Sequence, residues 1–325
     1  MMKAVNPQLI KLMTILNDGG VHDGDALGQA LSVSRAAIWK MINKLKEYGV
    51  KIDSTKAKGY QLTTPLMLLS QEKIAAAFKE DPIHITCLER VSSTNDFFKS
   101  QDQQHPIFQV CLAEMQTKGR GRLGRNWFSP FGQNLYLSCR YFFQKDVSDL
   151  GGLSLAVGIA IISALKQLGF DHDIMLKWPN DVMYQGKKFA GILIEVRAET
   201  HGLSEVVIGV GMNVNAVPDV SAKITQNVSA LSEISGQKCD RNDLAIALIK
   251  QLVANITRFE VSGFAAFAER WKEVDYLHGE AITLLQGDHY LPGIAQGVND
   301  NGYLLLQQGD GVRAFSSGEV SVAKL

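Results

Sequence analysis

Gln116-Thr117-Lys118-Gly119-Arg120-Gly121-Arg122-Leu123-Gly124-Arg125-Asn126-Trp127 sets three glycines and three arginines alternately within seven residues, with a tryptophan just beyond. Glycine lets backbone N–H groups approach a ligand closely and tolerates positive φ. Arginine carries a permanent charge on a planar fork that matches phosphate or carboxylate. The stretch reads as a loop that wraps a phosphorylated anion; a plain basic surface loop is the alternative. Gly119 to Gly124 also spells G-x-G-x-x-G, but a dinucleotide fold needs a helix directly after the glycines. The next residues, Asn126 to Gly132, hold aromatics and a proline without helical period, so the anion loop is kept and the dinucleotide fold rejected.

Around this loop the chain is rich in strands. They are expected at 83–88, 109–114, 134–143, 174–177, 181–184, 189–197 and 205–211, with Gln185-Gly186 as a hairpin turn. Helices are expected at 71–78, 95–100, 153–168, 240–259 and 264–272. Many strands with few connecting helices imply a mixed or antiparallel sheet, hence an α+β unit over 65–275. Residues 276–325 switch to short strands at 281–285, 290–298, 303–307, 312–315 and 320–322, separated by Gly and Asp turns, which predicts a small β-barrel.

Residues 1–64 read as a separate helical unit. Leu9, Leu12, Met13 and Leu16 repeat with helical spacing, 25–31 is a short second helix, and Ser34 caps a third over 35–48. Ile38, Met41, Ile42 and Leu45 form its inner stripe. Two strands, 50–52 and 59–62, enclose a basic turn. This is a winged helix-turn-helix in pattern, with a generic three-helix module as the alternative. The segment carries nine Lys/Arg against five Asp/Glu, while the rest carries 24 against 28. A net charge of zero thus hides a basic N-terminal unit suited to a polyanion. DNA contacts are expected from Ser34, Arg35, Ala36, Trp39, Lys40, Asn43 and Lys44 on the third helix and from Lys56 and Lys58 on the wing. Trp39 either meets the DNA backbone or packs on the wing.

Apolar content of 46% and charged content of 20% place the chain with soluble globular proteins. The four cysteines, 24, 28 and 100 residues apart, show neither metal nor C-x-x-C spacing and read as buried thiols of a reducing compartment. No signal peptide pattern opens the sequence, and the longest uncharged run, 150–165, is short for a membrane span. A cytoplasmic location without membrane association is expected.

A second chemical cluster is Lys177-Trp178-Pro179-Asn180-Asp181, followed by Lys187-Lys188-Phe189-Ala190-Gly191. Lysines near an Asn-Asp pair suit phosphates and their Mg²⁺, with Asp181 as the metal-facing carboxylate. Lys187 is expected in solvent. Gly209-Val-Gly211-Met-Asn213 could seat a flat ring against the backbone or simply end a strand. No nucleophile motif is present, so a covalent enzyme intermediate has no evident carrier.

Taken in order, Ser92-Ser-Thr-Asn95, the Gly/Arg loop with Trp127, Lys177-Trp-Pro-Asn-Asp181, Lys188-x-x-Gly-Ile-Leu193 and Gly209-x-Gly-x-Asn213 resemble the biotin protein ligases over essentially the whole chain. With its helix-turn-helix the chain is similar to the bifunctional branch, biotin ligase and biotin operon repressor in one. The resemblance implies a winged helix-turn-helix, a central mixed-sheet ligase domain and an SH3-like C-terminal β-barrel. It implies that biotin and Mg·ATP yield biotinyl-5′-adenylate and pyrophosphate, and that the adenylate then acylates a lysine on the biotin carboxyl carrier domain of acetyl-CoA carboxylase. Ser93, Thr94, Asn95 and Gln116 would contact biotin, with Arg120, Gly121 and Arg122 covering it. Lys188 would reach its carboxyl or the acyl-phosphate, and Lys177, Asp181 and Arg122 would share the catalysis. Arg122, Arg125, Lys177 and Asn180 would serve the nucleotide phosphates, with Trp127, Gly209 and Asn213 near adenine. Leu123 stands where some members carry another arginine. The resemblance further implies a homodimer in the adenylate-bound state that places two helix-turn-helix units on operator DNA. A biotin sensor without catalysis and a lipoate ligase with a regulatory domain are the rival readings.

Overall fold

The computed structural model describes residues 3–4, 6–55, 59–100, 108–170, 173–200, 203–215, 227–317 and 321–322. A two-residue strand β1 (Lys3–Ala4) precedes three helices, α1 (Pro7–Leu16), α2 (Gly24–Leu31) and α3 (Arg35–Glu47). Each helix starts where a short polar side chain satisfies free N–H groups. Asn6 accepts from Gln8 N, Asp23 from Asp25 N and Ala26 N, and Ser34 from Ala37 N. The α2–α3 turn is tight because of Gly28, where a Cβ would lie 2.8 Å from the Val33 carbonyl oxygen. Leu9, Leu12, Leu27, Ile38, Ile42 and Leu45 close one core.

The hairpin is β2 (Ile52–Thr55) with β3 (Gly59–Leu62). β2 starts later than expected and takes in Asp53 to Thr55, whose pairing with β3 overrides their turn-like chemistry. Lys56 and Lys58 lie outside the described residues.

The central elements are α4 (Gln71–Ala76), β4 (Ile83–Arg90), α5 (Thr94–Phe97), β5 (Phe108–Ala113), β6 (Leu135–Phe143), α6 (Leu153–Gln167), β7 (Ile174–Lys177), β8 (Asp181–Tyr184), β9 (Lys187–Thr200), β10 (Leu203–Met212), α7 (Leu231–Ser235), α8 (Arg241–Ser262) and α9 (Ala268–Lys272). One eight-stranded sheet runs β1-β4-β5-β6-β10-β9-β8-β7. Among the described residues, only β4 and β5 of this sheet pair in parallel; the other strand pairs are antiparallel. The fold is therefore α+β with a mixed sheet. α6 packs against α8 and supplies the sheet with apolar residues on all its sides, which explains the uncharged run. The stretch Val147–Gln167 is long and apolar enough to cross a membrane, yet Leu153, Ile159, Ile161 and Leu165 are buried in this core.

The helix expected over 264–272 is divided: Phe264–Phe267 is a 3₁₀ turn, and α9 begins after it. Phe264 and Phe267 are both buried, and their spacing of three suits the tighter turn. Strand β1 and helix α7 went unforeseen. β1 is too short to carry a pattern, and α7 is little more than one turn.

The C-terminal strands β11 (Ala281–Gln286), β12 (His289–Val298), β13 (Leu304–Gln308), β14 (Gly311–Phe315) and β15 (Ser321–Val322) form an antiparallel sheet in the order β14-β13-β12-β11-β15. Its apolar side, with Ile282, Leu284, Leu304 and Phe315, continues the central core. Trp178, fully buried, donates from Nε1 to the Gly302 carbonyl at 3.2 Å.

The N-terminal unit is also joined to the centre. Leu66, Leu68 and Phe131 complete its core. The Asn17 amide donates to Leu66 O at 3.0 Å and accepts from Leu66 N at 2.7 Å. Tyr48, at the end of α3, stacks on Phe131 with ring centroids 4.8 Å apart and donates its hydroxyl to Glu89 at 2.8 Å. Burial, with that hydrogen bond, pushes the Tyr48 phenol up to about 12.

Candidate active site

The Gly/Arg loop leaves β5 and returns to β6, and it closes a cavity of about 210 Å³. Ser93, Thr94, Asn95, Gln116, Arg120, Gly121, Arg122, Arg125, Trp127, Lys177, Asn180, Asp181, Lys188, Gly209 and Asn213 all line it. Residues from three separated sequence motifs and two strands thus meet in one place.

One end of the cavity is built from neutral polar groups. Ser93 occupies the N-cap position of α5 without capping it, so its hydroxyl is not spent on the helix. Gln116 Oε1 accepts from Thr94 N at 2.9 Å and from Thr94 Oγ1 at 3.2 Å, while its Nε2 donates to Ser129 Oγ at 2.9 Å. The Ser138 hydroxyl, fully buried on β6, lies 2.6 Å from both Thr94 Oγ1 and Asn95 Oδ1 and shares its single proton between them. Gly209 leaves room for that amide, since a Cβ there would meet Asn95 Oδ1 at 2.4 Å. Asp96, Ser138, Glu195 and Arg197 are the members that the sequence did not announce. Arg197 Nη2 donates to Asn95 O at 2.8 Å.

The other end is cationic. Arg122, Arg125, Lys177 and Lys188 face a single lining carboxylate, Asp181. Lys188 Nζ lies 2.5 Å from Asp181 Oδ1 and 5.4 Å from the Trp127 ring centroid. Lys177 and Arg125 make no ion pair among the described residues. Arg122 Nη2 donates to Ser317 O at 2.5 Å, which carries the loop across to the C-terminal sheet. Burial holds the Arg122 guanidinium below its usual range; Asp181 opposes this and Arg125 adds to it. Lys187 is exposed, as expected.

Trp127 lies on two glycines. Gly211 and Gly191 face each other across β10 and β9. A Cβ on Gly211 would sit 2.6 Å from Trp127 Cε2, and one on Gly191 would sit 3.3 Å from Cζ3. Asn213 Nδ2 donates to Ser229 O at 3.2 Å, and its Oδ1 is buried with no partner among the described residues. Trp127 Nε1 is also buried with no partner among the described residues. An orphan acceptor and an orphan donor therefore line the same flat-floored space, and buried polar atoms of this kind call for a ligand or water. Among the described residues no cluster of His, Cys, Asp or Glu could hold a metal alone. The thiols are not activated: burial pushes Cys87 and Cys139 up to about 12.

On α3, Arg35, Ala36, Trp39 and Lys40 are exposed beside the Ser34 cap, and Asn43 is half-buried. Trp39 is 57% exposed. Arg35 pairs with Asp25 at 3.0 Å on the open surface. Lys44 is placed otherwise than its grouping with the DNA face implied: it forms an ion pair with the buried Glu89 of β4. Its helical position turns it toward the central sheet, where the Glu89 charge requires a partner.

Three family models match the chain: the biotin/lipoate A/B protein ligase family over residues 87–213, the HTH domain over 8–61 and the biotin protein ligase C-terminal domain over 277–322. The bifunctional ligase/repressor BirA of Escherichia coli is 37% identical over 313 residues, covering 96% of each chain. That of Bacillus subtilis is 29% identical, covering 92% of this chain and 93% of the other. Among solved structures, the biotin protein ligase from Aquifex aeolicus in complex with biotin and ATP superimposes with a TM-score of 0.63 at 29% identity, covering 74% of this chain and 99% of that one.

Proposed function

The chain belongs to the biotin protein ligases, in their bifunctional ligase/repressor branch, and from that premise we propose how its residues divide the work. It is an ATP-dependent biotin–protein ligase and a biotin-responsive repressor of biotin synthesis genes. The observation that carries the residue roles is the cavity with one neutral, hydrogen-bonding end and one cationic end. The neutral end suits biotin, whose ureido ring needs both donors and acceptors when buried. Ser93, Thr94, Asn95 and Gln116 supply them, and Arg120 and Gly121 cover the ring.

The cationic end receives the nucleotide. A carboxylate must attack an α-phosphate within a polyanion, so alignment and charge neutralisation dominate. Lys188, at this end, stabilises the negative charge gathering on the carboxyl and α-phosphate oxygens. Lys177, Arg122 and Arg125 hold the phosphates, and Asn180 shapes their loop by donating to Ile192 O at 2.7 Å. The adenine lies beside Trp127, whose ring already covers Gly211 and Gly191, near Gly209 and with the free Asn213 oxygen at its edge. Asp181 is the residue to face Mg²⁺; one carboxylate with phosphate oxygens fits that ion's habit. Bound there, the ion adds charge neutralisation to the triphosphate. The carrier lysine amine then attacks the acyl carbonyl and AMP leaves, which asks for no enzyme nucleophile.

The domain boundaries we assign are 1–64, 65–275 and 276–325. The carrier is the biotin carboxyl carrier domain of acetyl-CoA carboxylase, and adenylate binding favours a homodimer that presents two helix-turn-helix units to operator DNA. The protein acts in the cytoplasm. Transfer of labelled biotin to a carrier domain with Mg·ATP tests the reading, with lipoate offered in parallel. Transfer of lipoate in place of biotin would sink it.

A further inference from the structure

Arg120 differs from the other arginines of its loop in being paired with two carboxylates. Its Nη2 donates to both oxygens of Glu195, at 2.9 and 3.2 Å, and lies 3.0 Å from Asp96 Oδ1. Glu195 Oε2 also accepts from Asn95 Nδ2 at 2.7 Å. One carboxylate on β9 therefore ties an amide on α5 to a guanidinium on the loop. The Asn95 amide is fixed on its other side as well, by Ser138 and by the close approach of Gly209. Its oxygen faces Ser138 and its nitrogen faces Glu195, which leaves the side chain one orientation.

We infer that Glu195 is a positioning residue for biotin. The inference rests on the assignment of Asn95 and Arg120 to that ligand. Glu195 is not among the residues lining the cavity. It acts through two that are, by setting the Asn95 amide and by anchoring Arg120 over the opening. Asp96 holds the same guanidinium from α5. A loop arginine held between two carboxylates has fewer conformations to lose when the ligand arrives. The charge is the essential property. A glutamine at 195 can still accept from Asn95, but its amide cannot also offer two anionic oxygens to Arg120.

The test uses the full chain and biotin alone, measured by calorimetry. Glu195→Gln is expected to weaken biotin binding about tenfold, in line with a charge-assisted pair. The rate of ATP–pyrophosphate exchange at saturating biotin and the melting temperature should stay near wild type. Arg120→Ala should weaken binding as well, and the double variant should lose less than the product of the two single losses, because the Arg120 contact is shared and only the Asn95 contact is separate. Glu195→Asp retains the charge and should lose less than Glu195→Gln. Wild-type biotin affinity in Glu195→Gln beside an impaired Arg120→Ala overturns the inference. So do independent, multiplying losses in the double variant, or equal losses in Glu195→Gln and Glu195→Asp. Wild-type binding by Arg120→Ala removes Arg120 from the biotin site, and the premise falls together with the inference.

Discussion

The two ends of the ligand cavity are built on opposite electrostatic plans. At the Thr94–Gln116 end the polar groups are paired with one another, and the one lining arginine, Arg120, is balanced by Asp96 and Glu195. At the Lys177–Lys188 end four cations share a single lining carboxylate, and two buried polar atoms are orphaned. A satisfied network is rigid and reads shape and hydrogen-bond pattern in a neutral ligand. An unbalanced one stores attraction for charge that has yet to arrive. The contrast separates recognition from chemistry within one cavity, and mutations at the two ends should fail differently.

The sharpest separation is expected from Lys188→Ala. Removing a charge aimed at the developing transition state should cut ATP–pyrophosphate exchange on the order of a hundredfold or more, with biotin affinity much less affected. Equal losses in exchange rate and biotin affinity would break the comparison. Next, Arg122→Ala should speed adenylate release by roughly tenfold or more, since it removes a charge-assisted clamp tied to Ser317 O. A stopped-flow measurement of adenylate dissociation reads this directly; an unchanged off-rate would leave the loop without a clamp. Gln116→Ala at the paired end should raise the KM for biotin by about tenfold while kcat is kept, the pattern of lost uniform binding. A fall in kcat alone would place chemistry at the wrong end.

The smallest expected effect carries the same distinction to the DNA-reading helix. Lys40 is exposed and Lys44 is paired with Glu89. Lys40→Ala should flatten the salt dependence of operator binding by about one unit of slope. Lys44→Ala should leave the slope alone and instead lower the melting temperature. A slope change in Lys44→Ala would show that its ion pair opens on DNA.

The features legible in sequence were those in which a few adjacent residues state a backbone or charge demand. The Gly/Arg loop, Lys177 to Asp181 and the glycine pair at 209 and 211 are of this kind. So is the capped third helix, since Ser34 stands directly ahead of its apolar stripe. Glu195 and Ser138 lie instead on strands whose alternation tells only which face is buried. Their partners are 100 and 43 residues away in the chain, a distance across which a periodic pattern carries no information. Lys44 shows the related limit for helices. Its position off the apolar stripe marks it as outside the helical core, yet not that a second surface, carrying Glu89, waits there. The division of 264–272 was hidden because two phenylalanines three apart fit an α-helix and a 3₁₀ turn equally well.

The joint between the first 64 residues and the sheet bears on any attempt to prepare the ligase as a fragment. A chain trimmed to begin at residue 65 would lose the surface that covers Leu66, Leu68 and Phe131. It would also lose the Tyr48 hydroxyl and the Lys44 ammonium that compensate the buried Glu89. The cut face would then be greasy, which favours self-association. A usable catalytic fragment of this protein would need that face redesigned, with Leu66, Leu68 and Phe131 made polar, before its activity could be compared with the whole.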